Sequence, residues 1–261
     1  MEKDSILSIR NLRKSYGSTQ VLKGIDLDVN AGEIIGYIGP NGAGKSTTVK
    51  IMLGILEDYE GQVRIFGEDI SESGVEYKKR IGYVPEVGEI YESLSAYEYL
   101  TFLGQVYGME LDEADEKAQR LMKSFDIEDN YHSQISSYSK GMKQKVLIIA
   151  SILHNPDILF LDEPLSGLDA NSVMVFKEML NQFAAGGKTI FYCSHIMEVV
   201  EKISDRILLI DNGKIVADGS FEELKAMSRQ GSLEDIFNKI TGFDKHKEIA
   251  SNIISIIEDV N

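Results

Sequence analysis

Residues 33–48 read EIIGYIGPNGAGKSTT. The run from Glu33 to Ile38 is apolar on both faces, as a buried parallel strand requires. KSTTVKIMLGIL, which continues from Lys45, carries apolar residues at helical spacing. Between them, GPNGAGKS fills the pattern G-x-x-x-x-G-K-[ST] in the strand–turn–helix context that gives the pattern meaning. Gly39, Pro40, Asn41, Gly42, Ala43 and Gly44, with Lys45, Ser46 and Thr47, are therefore candidate nucleotide-binding residues. Gly42 and Gly44 let the backbone wrap a phosphate so that several N–H groups point inward. The helix start adds its dipole. Lys45 is expected to face the β and γ phosphates of ATP, and Ser46 to offer an oxygen to Mg2+.

A matching acid should lie at the carboxyl end of another buried strand. ILFLDEP, residues 158–164, supplies it. Asp162 emerges where ligands bind in open parallel sheets and suits a water-mediated Mg2+ contact. Glu163 follows at once and can polarise a water for attack on the γ-phosphate.

Around these units, strands and helices alternate. LSIRNL and VLKGIDLDV read as half-exposed antiparallel strands, and GQVRIFG and RIGYVP as two more short strands. Residues 95–127 read as helical. Helices are expected over 141–153, 171–184 and 196–203, with strands at DILFLDEP, TIFYCSH and RILLID. NGKIVADG reads as a hairpin arm. Ser220 and Glu223 form a capping box for a further helix, and 244–260 read as an amphipathic helix with Ile249, Ile253, Ile257 and Val260 on one face. The expected fold is α/β: a P-loop NTPase core with a mostly parallel sheet, an N-terminal antiparallel β arm and an inserted α-helical subdomain.

The 261 residues suit one large domain with a small appendage. A net charge of −15 argues against a nucleic-acid partner. Residues 86–130 hold twelve Asp/Glu against three Lys/Arg, either a solvated helical face or a docking surface for a basic partner. The single Cys193 excludes a disulfide framework and fits a reducing compartment. MEKDSILSIR lacks the apolar core of a signal peptide, and no apolar run approaches the ~20 residues of a membrane span. The chain is therefore expected to be soluble. His132, His154 and His246 show no metal-ligand spacing and read as surface residues.

The decapeptide 136–145, SSYSKGMKQK, opens a helix but is richer in Ser and Lys than a cap needs. Together with LDEPLSGLD, the CSH at 193–195, GYVPE at 82–86 and the KSYG that contains Tyr16, it resembles the ordered motif set of ABC-type ATPases over roughly residues 6–220. SYSKGM resembles the signature, LDEPLSGLD the Walker B strand running into the D-loop, CSH the switch histidine and GYVPE the Q-loop. The resemblance implies a head-to-tail sandwich of two nucleotide-binding domains. Ser139 and Gly141 of one domain, with Asp169, would then cap a nucleotide held by the other. It further implies that Tyr16 stacks on adenine, that Glu163 and His195 are catalytic, and that Ser46, Glu86 and Asp162 serve Mg2+.

This chain departs from the family pattern at Tyr138, Lys140 and Met142 in the signature, and at Glu86 where the family has Gln. Those departures resemble the branch that energises separately encoded multidrug, antibiotic, lipid or polysaccharide exporters. The implied partners are an integral membrane permease, received near residues 86–110, and a second ATPase domain, either another copy or a paralogue. The implied location is peripheral, on the cytoplasmic side of the membrane. The implied domains are 1–220, with a helical subdomain at about 87–153, and a C-terminal extension at 221–261. A soluble ABC-type ATPase acting on ribosomes or DNA is the rival reading. A small-molecule P-loop kinase would need neither a signature nor a switch histidine.

Overall fold

The computed structural model describes residues 5–86, 88, 90–228, 231–242 and 246–258. Two sheets organise the chain. The first is antiparallel, in the order β2(Thr19–Asn30), β1(Ser5–Tyr16), β4(Glu60–Ile65), β5(Glu68–Asp69). The second has the order β10(Lys214–Gly219), β9(Arg206–Asp211), β3(Ile34–Ile38), β8(Thr189–Cys193), β7(Ile158–Asp162), β6(Ile81–Val84). Within it β9, β3, β8, β7 and β6 are parallel, and β10 returns antiparallel along β9.

Strand alternation divides the core. Ile34 and Ile38 of β3, Leu159 and Leu161 of β7, and Ile190 and Tyr192 of β8 point to one side of the large sheet. There they meet α4(Lys140–Ile152), α5(Ala170–Ala185) and α6(Met197–Ile203). Ile35, Tyr37, Ile158, Phe160, Phe191 and Cys193 point to the other side, toward α1(Lys45–Met52) and the antiparallel sheet. Fully burying such a side chain contributes about 1.5–3 kcal/mol over leaving it exposed. Both faces of β3, β7 and β8 are covered, which explains why these strands read as continuous apolar runs. Gly36 is required for the close approach of α6: a Cβ there would stand 2.4 Å from Val200 Cγ1.

The expected helical insert consists of α2(Ala96–Val106) and α3(Leu111–Ser124), packed against α4. Ser95 and Glu98 close a capping box on α2. The helix expected at 141–153 starts one residue earlier, at its Ser139 cap. The strand expected through DILFLDEP stops at Asp162. Ser220 and Glu223 do form the capping box of α7(Phe221–Ser228). A helix not among those expected from the sequence, α8(Leu233–Thr241), is capped by Ser232 and packs on α6 and α7.

The tail helix is α9(His246–Glu258), on which Ile253, Ile254, Ile256 and Ile257 are all exposed. Val260 lies outside the described residues, as does the side chain of Ile249. His154 corrects the sequence reading, for it is not a surface residue. Its ring stacks on Tyr107 with centroids 3.6 Å apart, and Nε2 lies 3.0 Å from the Ile81 carbonyl. Tyr107, just past the end of α2, covers one face of the partly buried ring, which spacing along the chain does not reveal.

Candidate active site

Four neighbouring strands deliver the site. The loop after β3 carries Gly39–Ser46, β8 runs into Ser194–His195, β7 ends at Asp162–Glu163, and the turn after β6 holds Glu86. In the order β3-β8-β7-β6 their carboxyl ends lie side by side. The resulting cleft of about 530 Å³ is lined by Val21, Asn41, Gly42, Gly44, Lys45, Ser46, Thr47, Glu86, Asp162, Glu163 and His195.

The loop's glycines are set by contact and by conformation. A Cβ on Gly39 would sit 2.3 Å from the Ile210 carbonyl oxygen. Gly44 has φ +113° and caps α1 with no side-chain bond to the first helical N–H groups. Those donors are thus unclaimed by any cap side chain, the arrangement that binds anions at helix N-termini. The Lys45 ammonium donates to the carbonyls of Gly39 (2.6 Å) and Pro40 (3.2 Å), which hold it across the loop. Gly39, Pro40 and Ala43 shape the loop without lining the cleft. Tyr16 does not line it either. Its ring is half exposed at the end of β1, with Lys14 Nζ 5.1 Å from the ring centre. Val21 of β2 forms the wall instead, and no sequence motif marked it.

Consecutive strand residues normally face opposite sides, yet Asp162 and Glu163 both line this cleft. The reason is local. Glu163 takes φ +50°, a left-handed conformation rare for a non-glycine residue, which breaks the alternation. Its N–H still bonds the Cys193 carbonyl at 2.9 Å, anchoring the turn to β8. Asp162 is nearly buried and accepts from Ser46 Oγ at 3.2 Å. Burial pushes its carboxyl above the usual range, with Glu86 and Glu163 adding to the rise while Ser46 and Lys45 oppose it. The Glu163 carboxylate is held on both oxygens. Oε1 accepts from the His195 backbone N–H (2.7 Å), with His195 Nδ1 2.8 Å away, and Oε2 accepts from Ser194 Oγ (2.9 Å).

The donor set fits a hard cation. Three carboxylates, Glu86, Asp162 and Glu163, share the cleft with one lysine, and Asp162 is buried beside a hydroxyl. No group of three or more His, Cys, Asp or Glu among the described residues could hold a metal by itself. A buried carboxylate beside a hydroxyl suffices for Mg2+, which takes few protein ligands and keeps water and phosphate oxygens for the rest.

The signature residues lie away from this cleft. Ser139 is exposed and caps α4, accepting from the Met142 N–H at 3.2 Å. Asp169 caps α5, accepting from the Ser172 N–H at 2.9 Å and its hydroxyl at 2.5 Å, and these bonds hold its carboxyl down at about 2. Gly141 packs on its own chain, where a Cβ would meet the Gly167 carbonyl oxygen at 2.6 Å. The departures from the family signature have packing reasons. Tyr138 is buried and donates to the Asn130 carbonyl, the Lys140 stem lies along Gly167, and Met142 packs on the core. Gln144, which the motif reading passes over, is buried and donates to the Pro164 carbonyl at 2.9 Å, tying α4 to the turn that carries Glu163.

The sequence profile described as ABC transporter matches residues 22–166. The chain belongs to that family. It resembles the linearmycin resistance ATP-binding protein LnrL of Bacillus subtilis, with 34% identity over 255 residues, 98% of this chain and 81% of that one. Among solved structures, an ATP-binding subunit of an ABC transporter superposes with TM-score 0.85 at 31% identity, covering 91% of this chain and all of that one. A dimeric ATP-binding cassette in a post-hydrolysis state, bound to ADP and Pi, superposes with TM-score 0.75 at 25% identity, covering 82% of this chain and 98% of that one. The chain is an ATP-binding and ATP-hydrolysing subunit of an ABC transporter. No helix among the described residues is long and apolar enough to cross a membrane.

Proposed function

We propose that Glu163 is the general base, that the loop from Gly39 to Thr47 binds the phosphates, and that the chain works as one half of an ATP sandwich driving export. The observation that carries the chemistry is the pair Asp162–Glu163, turned into one cleft opposite Lys45 and Ser46 by the left-handed backbone at Glu163. Lys45 and the N–H groups of α1 bind the β and γ phosphates. Ser46 and Asp162, with Glu86 facing them, would hold Mg2+, which supplies charge neutralisation on the phosphate oxygens. A water oxygen forms the new bond to the γ-phosphorus as the bond to the β–γ bridging oxygen breaks. ADP leaves with that oxygen, and the water's proton passes to Glu163. Tyr16 is the adenine contact, reached once base and ring meet at the rim.

The second half of the site comes from a partner ATPase domain, another copy or a paralogue. Exposed Ser139 at the start of α4, with Gly141 and Asp169 beside it, supports that reading, because the cleft itself contains none of the three. A permease docks on the face that includes Tyr91, Phe102 and Val106, all exposed. The nearby acids serve the domain rather than a partner: Glu92 pairs with Lys143 at 2.5 Å and Glu98 closes the α2 capping box. Glu89 lies outside the described residues. The chain thus sits peripherally on the cytoplasmic side of the membrane. The domains are 1–220, including the helical part at about 87–153, and the extension 221–261. Likeness to a resistance protein supports outward transport of an antibiotic-like compound. Purification from native membranes, with identification of the co-purifying membrane chain and assay of Mg2+-dependent phosphate release, tests the whole. A preparation that binds no membrane chain, or that hydrolyses ATP equally well with the cation chelated, overturns it.

A further inference from the structure

Glu163 projects its carboxylate from a strained turn, so something must fix the direction of the acid. Backbone bonding holds the N–H to Cys193, but this fixes only the main chain. Two groups hold the carboxylate itself. Oε1 takes the His195 backbone N–H at 2.7 Å, with the ring's Nδ1 2.8 Å away. Oε2 takes one donor, Ser194 Oγ at 2.9 Å, and keeps a lone pair. Ser194 is 1% exposed and follows the last residue of β8, and its oxygen accepts the Ile196 N–H at 3.1 Å. That acceptor bond aims the hydroxyl hydrogen at Glu163. The serine is therefore pinned by the strand on one side and by the following turn on the other.

We infer that Ser194 is the positioning residue of the reaction: its buried hydroxyl orients the Glu163 carboxylate so that the free lone pair of Oε2 receives the proton of the attacking water. The inference rests on reading Glu163 as the base. His195 is more than three-quarters exposed and has to be free to meet the nucleotide. Ser194 is enclosed and keeps its bond whether or not His195 moves. The acid thus has one fixed tether on each oxygen, Ser194 Oγ on Oε2 and the His195 backbone N–H on Oε1, while the His195 ring is exchangeable. Removing the Ser194 tether leaves the carboxylate held at Oε1 alone, lets Oε2 swing about its last torsion and lowers the fraction of bound ATP that meets a correctly placed base. Ser194 does not line the cleft that contains the phosphate loop, so its replacement should leave ATP binding nearly unchanged.

The test uses the full-length chain, with steady-state phosphate release and equilibrium binding of ATP. Ser194→Ala should lower kcat by about ten- to a hundredfold, the range for a lost hydrogen bond to a charged group, with KM within about twofold. Thr and Val have the same shape and differ by the hydroxyl alone. Ser194→Thr should recover turnover to within about threefold of the parent, and Ser194→Val should match the alanine variant. This pair separates positioning from packing, since a purely structural role predicts equal losses for both. It also serves if the alanine variant fails to fold. Equal turnover in the Thr and Val variants, or a loss that appears in KM rather than kcat, overturns the inference. Glu163→Gln is measured alongside: undiminished turnover there would discard the base assignment itself, whatever Ser194 does.

Discussion

His195 and Glu163 are joined twice, by the histidine's backbone N–H at 2.7 Å and its Nδ1 at 2.8 Å from the same carboxylate oxygen. The ring is more than three-quarters exposed, so it can turn toward a bound nucleotide while the backbone N–H keeps Glu163. His195→Ala should lower turnover by about a hundredfold or more, the scale of a lost acid–base partner, with ATP affinity nearly unchanged. The His195 backbone bond survives in that variant, so Glu163 keeps part of its restraint. Single-turnover phosphate release beside ATP titration checks both halves, and parallel losses of binding and turnover would refute the assignment.

Gly141 offers a sharper test of why the signature holds a glycine. Alanine is normally better than glycine in a helix by about 1 kcal/mol. Here the added Cβ would stand 2.6 Å from the Gly167 carbonyl oxygen, and the obstacle is backbone rather than a flexible side-chain end. Steric cost of about 1–3 kcal/mol should outweigh the helical gain. Gly141→Ala should lower the melting temperature of the isolated chain even without nucleotide. A stability equal to or above the parent would leave only a partner-facing role for this glycine.

These two sites mark the border of what the sequence makes legible. The strand–turn–helix arrangement around Gly39 to Ser46 is legible because every requirement is local: a buried strand, a glycine turn and a helix start in one run. Asp162 and Glu163 read as a pair for the same reason, although their shared facing depends on the φ of Glu163, which spacing does not encode. Gly141 against Gly167, Gln144 against Pro164 and His154 against Tyr107 each join residues from separate elements. Such contacts exist only once the sheet order is set. Ser194 had one signal, its place directly before the switch histidine. Helix α8 had two signals, its Ser232 cap and Leu233, Ile236, Phe237 and Ile240 at helical spacing, but the run is short.

His154 makes stability depend on pH. Burial against Tyr107 depresses its pKa from the ordinary 6.5, with Lys117 and Lys188 adding repulsion, although the bond to Ile81 opposes the shift. The folded chain thus binds fewer protons here than the unfolded chain. The contribution is fully present above pH 6.5 and declines as pH falls from there toward the lower folded value. His154→Phe keeps a ring to stack on Tyr107 but cannot take a proton. The melting temperature of the parent should fall faster than that of the variant between pH 7.5 and 5, and the two curves should converge or cross. Parallel curves would show that His154 titrates as it does in the unfolded chain.

The sandwich reading joins the cleft to the exposed start of α4. Glu163→Gln keeps the shape of the base but cannot accept the water's proton, so hydrolysis should slow by orders of magnitude. ATP then stays bound, and if it bridges two domains, mass action should shift the chain from monomer to dimer as ATP rises. Ser139 is exposed and its side chain makes the cap to the Met142 N–H, so Ser139→Arg should cost about 1 kcal/mol of helix capping within the domain. Across the dimer it would set bulk against the γ-phosphate of the facing subunit. Adding Ser139→Arg to Glu163→Gln should abolish the dimer while each phosphate loop still binds ATP. Sedimentation of the single and double variants, with and without Mg-ATP, separates the possibilities. A single variant that stays monomeric at saturating ATP, even beside a candidate ATPase paralogue, rules out the sandwich for this chain. A double variant that dimerises as well as the single one means that Ser139 caps only its own helix.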